Sequence, residues 1–267
     1  MKKLIVFVSA ILSLSVFCGC RKCVEIIAHR GASYLAPENT MASVMLGWEK
    51  KADVEVDIHM SKDNRIVVIH DSSTKRTSGV DLEVSETMSQ HLRQLDVGSF
   101  KSEKFAGEPI PFLEDVIKTI PDGRKLYVEI KSGLETLPFL ERVILDSGKE
   151  EQIVIIGFDF DTVTAAKRMM PDIPAYWLKG TEKNKQTDEW IPHAPKLVQQ
   201  VKLAGLDGLD VHYAGVNKNF ADAVKAAGLK LYVWTVDEMQ EAARLKELGV
   251  DGITTNRPGW LREQLCD

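Results

Sequence analysis

Four short stretches of the chain end apolar runs in side chains that can do chemistry: Ala28-His29-Arg30-Gly31, Glu55-Val56-Asp57, Val68-Ile69-His70-Asp71 and Val128-Glu129-Ile130-Lys131. Side chains alternate along a strand, so Glu55 and Asp57 share one face of theirs, and Glu129 and Lys131 share one face of theirs. Brought to a common mouth, Glu55, Asp57 and Glu129 would repel strongly at low dielectric unless protons or a cation compensated them. A single divalent ion resolves this most simply, and an all-oxygen ligand set suits Ca²⁺ or Mg²⁺ while leaving positions for water and a substrate oxygen. His29 and His70 would stand beside it as groups that give and take protons near neutral pH. Arg30 and Lys131 add positive charge for an anionic substrate, one as a planar fork and the other as a point charge. Ion, paired imidazoles and cations together favour hydrolysis of a phosphate ester.

Such a site needs elements that bring distant stretches to one place. After residue 23 the sequence alternates short β-branched runs with longer amphipathic ones, the pattern of strand–helix units around a parallel sheet. Strands are expected at 25–29, 53–58, 126–131, 153–158, 175–178, 208–211, 231–235 and 252–255. Helices are expected among others at 40–50, 112–120, 134–145, 162–169, 219–227 and 239–248. Eight units over residues 24–265 fit a single α/β domain, a (β/α)₈ TIM barrel. Between Glu55 and Asp71 the polar cluster 61–64 separates two strand-like runs with no room for a helix, which predicts a hairpin excursion that folds His70 and Asp71 back toward Glu55 and Asp57. Residues 72–111 are polar, with turn signals at Ser78-Gly79 and 107–109, and are expected to form a small loop-rich cap inserted after the second strand.

The motifs AHRG, PENT (37–40), EVD, VVIHD, IPFLED (110–115), VEIK and GVDGITTNRP (249–258) occur in order along nearly the whole chain after residue 23, and together the chain resembles the glycerophosphodiester phosphodiesterase family. The resemblance implies a TIM barrel with a cap after the second strand, and metal-dependent hydrolysis of glycerophosphodiesters to glycerol 3-phosphate and an alcohol. It matches His29 and His70 to acid/base histidines, Glu55, Asp57 and Glu129 to metal ligands, Arg30 and Lys131 to residues near the phosphate, and Trp234 to an aromatic at the pocket wall. Which histidine is acid and which is base, and whether water or the glycerol hydroxyl attacks first, stay open. Two departures, SSTKRTSG after His70-Asp71 and Asn256 in place of a common Asp, do not fall on the proposed ion ligands.

Blander roles compete for several residues. Glu129 and Lys131 can form a plain ion pair, PENT can simply start a helix and orient Arg30, and Trp234 can be a packed wall residue. Asp210 and His212 end another strand and are the strongest competing pair; His59 is read as lying beyond the mouth, and His91 and His193 as surface residues. Two further functions are weighed: phospholipase D-like action on lysophospholipids or sphingolipids through the same site, and non-catalytic phosphodiester binding by a surface lipoprotein.

Composition narrows the classes. With 34 Lys and Arg against 39 Asp and Glu, a net charge of −5 and no basic run, a nucleic-acid partner is disfavoured. At 44% hydrophobic and 27% charged, the 267-residue chain is of globular composition and long enough for a large core. Residues 1–20 run from Lys2 and Lys3 through about fourteen apolar residues to Gly19-Cys20, which reads as an export signal, with Cys20 a candidate lipidated residue. The expected setting is therefore exported, periplasmic or anchored to a membrane. Cys23 and Cys266 are either a bridge between the chain ends or unpaired bystanders, and no metal-binding cysteine spacing exists.

Overall fold

The computed structural model describes residues 24–266. The stretch 1–20 expected to be an export signal, with Cys20, and Cys23 lie outside the described residues. Strands form where β-branched and aromatic residues concentrate. Among the described residues they are β1 (Glu25–Ala28), β2 (Asp53–Met60), β3 (Ile66–Val68), β4 (Leu126–Ile130), β5 (Ile153–Gly157), β6 (Ala175–Lys179), β7 (Gly208–His212), β8 (Lys230–Trp234) and β9 (Gly252–Thr255). All but β3 pair in parallel, and β1 bonds both β2 and β9, so eight strands close into a ring. The protein is a TIM barrel, as its sequence predicts.

The hairpin is also as expected. β3 runs antiparallel on β2 with Ile58 opposite Val68 and Met60 opposite Ile66, outside the ring. Its turn uses Asn64 at φ 60°, a left-handed position that Asn tolerates. Pairing with β3 carries β2 two residues past the predicted 58, to Met60. The segment 72–111 holds four short helical pieces, Lys75–Ser78, Val84–Glu86, Ser89–Leu92 and Glu103–Phe105. Val84, Leu92, Val97 and Ile110 pack there with Val67 and Ile69 in a small apolar cluster of their own.

Two helices exceed the expectation, Lys196–Ala204 and Pro258–Cys266. The helix expected over 134–145 begins as a 3₁₀ turn, Leu134–Thr136, and becomes α over Leu137–Ser147, with Pro138 in its first turn where no N–H is needed. His193 is buried rather than on the surface. Its Nε2–H donates to the His212 carbonyl at 2.9 Å, and its ring fills the space a Cβ on Gly215 would need.

Period-two alternation sorts each of the eight ring strands into a ring interior and an outer face. The outer residues join those of the surrounding helices in the main core. Inside, Ile27, Tyr127, Val154, Ile156, Tyr176, Leu178 and Tyr232 form a separate apolar plug. Tyr127 and Tyr232 donate their hydroxyls to Glu25 Oε2 at 3.2 and 3.0 Å, closing the floor of the ring with satisfied polar groups. A Cβ on Gly252 would meet the Tyr232 ring at 2.4 Å, so the bare glycine makes that packing possible. The polar motifs sit on the same inward faces nearer the C-terminal ends of the strands, the end where barrels of this kind place their chemistry.

Candidate active site

Strand pairing assembles the acidic cluster. Glu55 and Asp57 point inward from β2, and the parallel register sets Asp57 beside Glu129 of β4. Oxygens of Glu55, Asp57 and Glu129 lie within 4.8 Å of one another, all three side chains being buried. The turn after β1 wraps around this cluster. Arg30 takes a left-handed φ of 53°, a costly conformation for a side-chain-bearing residue, and its backbone N–H donates to Glu55 Oε2 at 2.7 Å. Gly31 follows at φ 75°, and a Cβ there would meet the Ser43 backbone at 2.4 Å, so only glycine lets the turn close on the first helix, Met41–Glu49.

Cations brace the cluster. Lys131 Nζ lies 2.6 Å from Glu129 Oε1 and 3.2 Å from Asp57 Oδ1, and Arg30 Nε lies 3.3 Å from Asp57 Oδ2. Arg30 Nη1 donates to Glu38 Oε1 at 2.8 Å, so its charge is shared with a fourth carboxylate. Glu38 in turn accepts from Arg76, which also donates to Asp71 Oδ2 at 2.6 Å; through Arg76 the inserted segment reaches the site.

The electrostatic consequences differ by residue. Burial, then Asp57 and Glu129, push the Glu55 carboxyl well above the usual carboxylate range. Burial and the neighbouring Asp57 raise Glu129 to about 7 against the pull of Lys131. Burial also works against charge on Asp57, yet Lys131, Arg30, His70 and a bond from Asn39 hold it below its ordinary value. The cluster thus carries more acid than its own cations neutralise. Glu55 Oε1 is buried without a hydrogen-bond partner, and Asp57 Oδ1 has only the ill-aligned lysine. Orphaned buried carboxylate oxygens converging on one point fit a hard divalent cation.

The two histidines are held alike but by different partners. The Asn256 amide donates Nδ2–H to Asp237 Oδ2 at 2.5 Å, which turns Oδ1 toward His29 Nδ1 at 2.8 Å and fixes Nδ1 of that ring as the protonated nitrogen. His70 Nδ1–H donates to Asp71 Oδ1 at 2.6 Å, and its backbone carbonyl accepts from His59 Nε2 at 3.1 Å, which gives His59 a supporting part. Burial, then Arg30, lower the proton affinity of His29 against the Asn256 bond.

Both rings line a pocket of ≈ 200 Å³ with Arg30, Glu55, Glu129 and Lys131 on one side and Ile156, Phe158, Leu178 and Trp234 on the other. Asp57 stands behind it, held by Lys131 and Arg30. All eight residues singled out from sequence therefore meet at one place. Of the competing pair, Asp210 lines the pocket, whereas His212 stacks on Tyr213 with centroids 4.9 Å apart.

One contributor is not legible in the motifs as read. Asn39 is buried at φ 57°, donates Nδ2–H to Asp57 Oδ2 at 2.8 Å and accepts the Asp57 backbone N–H at 3.1 Å. PENT thus does more than start the helix that Thr40 caps through its capping box with Ser43. The signal available was an Asn directly before an N-cap, a residue type suited to left-handed backbone.

Comparison with known proteins agrees with the geometry. A sequence model of the glycerophosphoryl diester phosphodiesterase family matches residues 29–260. The glycerophosphodiester phosphodiesterase of Caldanaerobacter subterraneus subsp. tengcongensis is 33% identical over 242 residues, covering 87% of this chain and 94% of that protein. A Bacillus subtilis glycerophosphodiester phosphodiesterase is 27% identical over 251 residues, covering 87% and 83%. The structure of an Oleispira antarctica phosphodiesterase in complex with the product sn-glycerol-3-phosphate superimposes with a TM-score of 0.80 at 27% identity, covering 91% of this chain and 96% of that one. The barrel, the buried acidic triad with its flanking histidines and the match over nearly all described residues lead to one assignment: this chain belongs to the glycerophosphoryl diester phosphodiesterase family.

Proposed function

We propose that the protein hydrolyses glycerophosphodiesters to glycerol 3-phosphate and an alcohol, with one divalent cation, Ca²⁺ or Mg²⁺, held by Glu55, Asp57 and Glu129. The observation that carries this is the convergence of three buried carboxylates, two of them with a buried oxygen that has no hydrogen-bond partner, beside two imidazoles at a single pocket. The oxygen-only donor set supports a hard cation over zinc. Bound there, such a cation supplies Lewis acidity, drawing charge from a phosphate oxygen and making a neighbouring hydroxyl a better nucleophile.

The chain's own residues do the rest. Arg30 and Lys131 hold the phosphate against the acidic cluster, and their pairing with Asp57 keeps them in place before substrate arrives. Burial and Arg30 keep His29 neutral, the form that takes a proton from the attacking hydroxyl, while Asn256 fixes its tautomer so that Nε2 is the accepting atom. His70 delivers a proton to the leaving oxygen, with Asp71 orienting its ring. Trp234 and Phe158, ring centroids 5.4 Å apart, form an aromatic wall of the pocket.

The basic start and apolar run of residues 1–20 support an exported enzyme, and Gly19-Cys20 supports attachment to a membrane through a lipidated Cys20. The site pocket is of small-molecule size, which supports a soluble glycerophosphodiester over a lysophospholipid or sphingolipid substrate. The test is release of glycerol phosphate from glycerophosphocholine and glycerophosphoethanolamine, followed by phosphorus NMR with and without chelator. Chelator-sensitive release, lost in His29→Ala and Glu129→Ala, is expected; release that survives both substitutions overturns the reading.

A further inference from the structure

One polar group in the pocket is left over by the chemistry just described. Asp210, on the inward face of β7, is 2% exposed, lines the pocket, and has an Oδ1 that is buried with no hydrogen-bond partner. Its own backbone carbonyl is engaged by Trp234 Nε1 at 3.2 Å, so strand and pocket wall fix where the side chain starts. Leu178 faces it in the β6–β7 register, and both Leu178 and Ile156 are buried residues of the same pocket. No cation pairs with it among the described residues, in contrast to Asp57 and Glu129. A buried carboxyl without a partner is a cost to the fold, and in a binding pocket such a group is satisfied by what binds.

We propose that Asp210 is a specificity-determining residue that holds a hydroxyl of the substrate's glycerol moiety, the terminal one, across the pocket from the phosphate. This rests on the glycerophosphodiester reading above and adds to it the group that recognises glycerol. A hydroxyl both donates and accepts, so it satisfies a carboxyl in either protonation state. The position points the same way. Asp210 lies deep, whereas the leaving alcohol must exit past the rim, where Phe158 is 46% exposed. The phosphate is claimed by Arg30 and Lys131, which follow β1 and β4, the neighbours of β2, the strand across the ring from β7. A glycerol arm projecting from that phosphate carries its terminal hydroxyl away from the cations, toward β7. Sites built to bond a substrate hydroxyl reject analogues that lack it, because their own polar group is then left unpaired.

The experiment compares glycerophosphoethanolamine with 2-hydroxypropyl phosphoethanolamine, which keeps the hydroxyl next to the phosphoester and lacks the terminal one. The natural chain is expected to prefer the glycerol compound. In Asp210→Ala kcat/KM on the glycerol compound should fall by roughly tenfold to a hundredfold, so that the preference collapses. Asp210→Asn, of equal size and still able to donate and accept, should keep part of the preference. Calorimetric binding of glycerol 3-phosphate against propane-1,2-diol 1-phosphate should show the same loss of discrimination in Asp210→Ala. An equal fall on both substrates, or a preference unchanged in Asp210→Ala, overturns the assignment and leaves the phosphodiesterase reading intact. If the natural chain hydrolyses neither compound, both readings fall together.

Discussion

Asn39 offers a test of how the acidic site is organised, through a residue that touches neither the phosphate nor the ion directly. Its amide makes two bonds to Asp57, a charge-assisted one to Oδ2 at 2.8 Å and one from the backbone N–H at 3.1 Å. The informative substitution is Asn39→Gly, because φ at this position is 57° and glycine removes both bonds without straining the backbone. A partner that orients a metal-ligating carboxylate is worth roughly tenfold to a hundredfold in metal affinity, or about 1.4–2.8 kcal/mol. Leaving the Asp57 N–H unpaired adds a stability cost of about 1–3 kcal/mol, read as a Tm lower by roughly 2–12 °C for a domain of this size. Asn39→Ala should bind the ion as weakly as Asn39→Gly but be less stable by about 1 kcal/mol, the cost of a Cβ at positive φ. Isothermal titration of metal-stripped protein with Ca²⁺ and with Mg²⁺, beside thermal melts, separates the two effects. Natural affinity in Asn39→Gly would refute the view that this amide sets the geometry of Asp57.

Other consequences can be checked independently. Asn256→Ala frees the His29 tautomer, and His29→Ala removes the base; kcat should drop by roughly a hundredfold to ten-thousandfold for His29→Ala and by less for Asn256→Ala, with ion affinity retained in both by calorimetry. Gly31→Ala drives a Cβ to 2.4 Å from the Ser43 backbone at φ 75°, so it should destabilise by about 1–3 kcal/mol or more in chemical denaturation. Against a slight burial penalty, bonds from the Ser89 N–H and Oγ and from Ser61 Oγ hold Asp63 down at about 2. Its folded-state value lies below its unfolded value, so this stabilisation is present above about pH 4 and is lost as pH falls toward 2. Solvent exposure limits it to about 1 kcal/mol, and Asp63→Asn should lower Tm at pH 7 while flattening its decline between those pH values.

How far the sequence alone reaches depends on the range of each interaction. Strand alternation is local, so Glu55 and Asp57 could be placed on one face from their spacing, and the hairpin from the polar turn between Ser61 and Asn64. The register that sets Asp57 beside Glu129 joins positions 72 residues apart, and only the barrel as a whole supplies it. Asn39 and Asp237 escaped because their roles are bonds to the distant side chains of Asp57 and Asn256; the Asn before an N-cap hints at left-handed backbone but not at which carboxylate it serves. His193 misled because it stands in a polar stretch yet is drawn inward by the His212 carbonyl and the bare Gly215. The helix Lys196–Ala204 follows a long polar connection, and its apolar stripe of Leu197, Val198 and Val201 is short.

The most direct measurement is a count of divalent ions per chain, by equilibrium binding to metal-stripped protein, set against the rate of glycerol phosphate release at each occupancy. One ion per chain with a rate that rises in proportion, and no binding at that site in Glu55→Gln or Glu129→Gln, is the predicted result. Full turnover by protein holding no ion, or undiminished binding when both glutamates are replaced, would contradict the account.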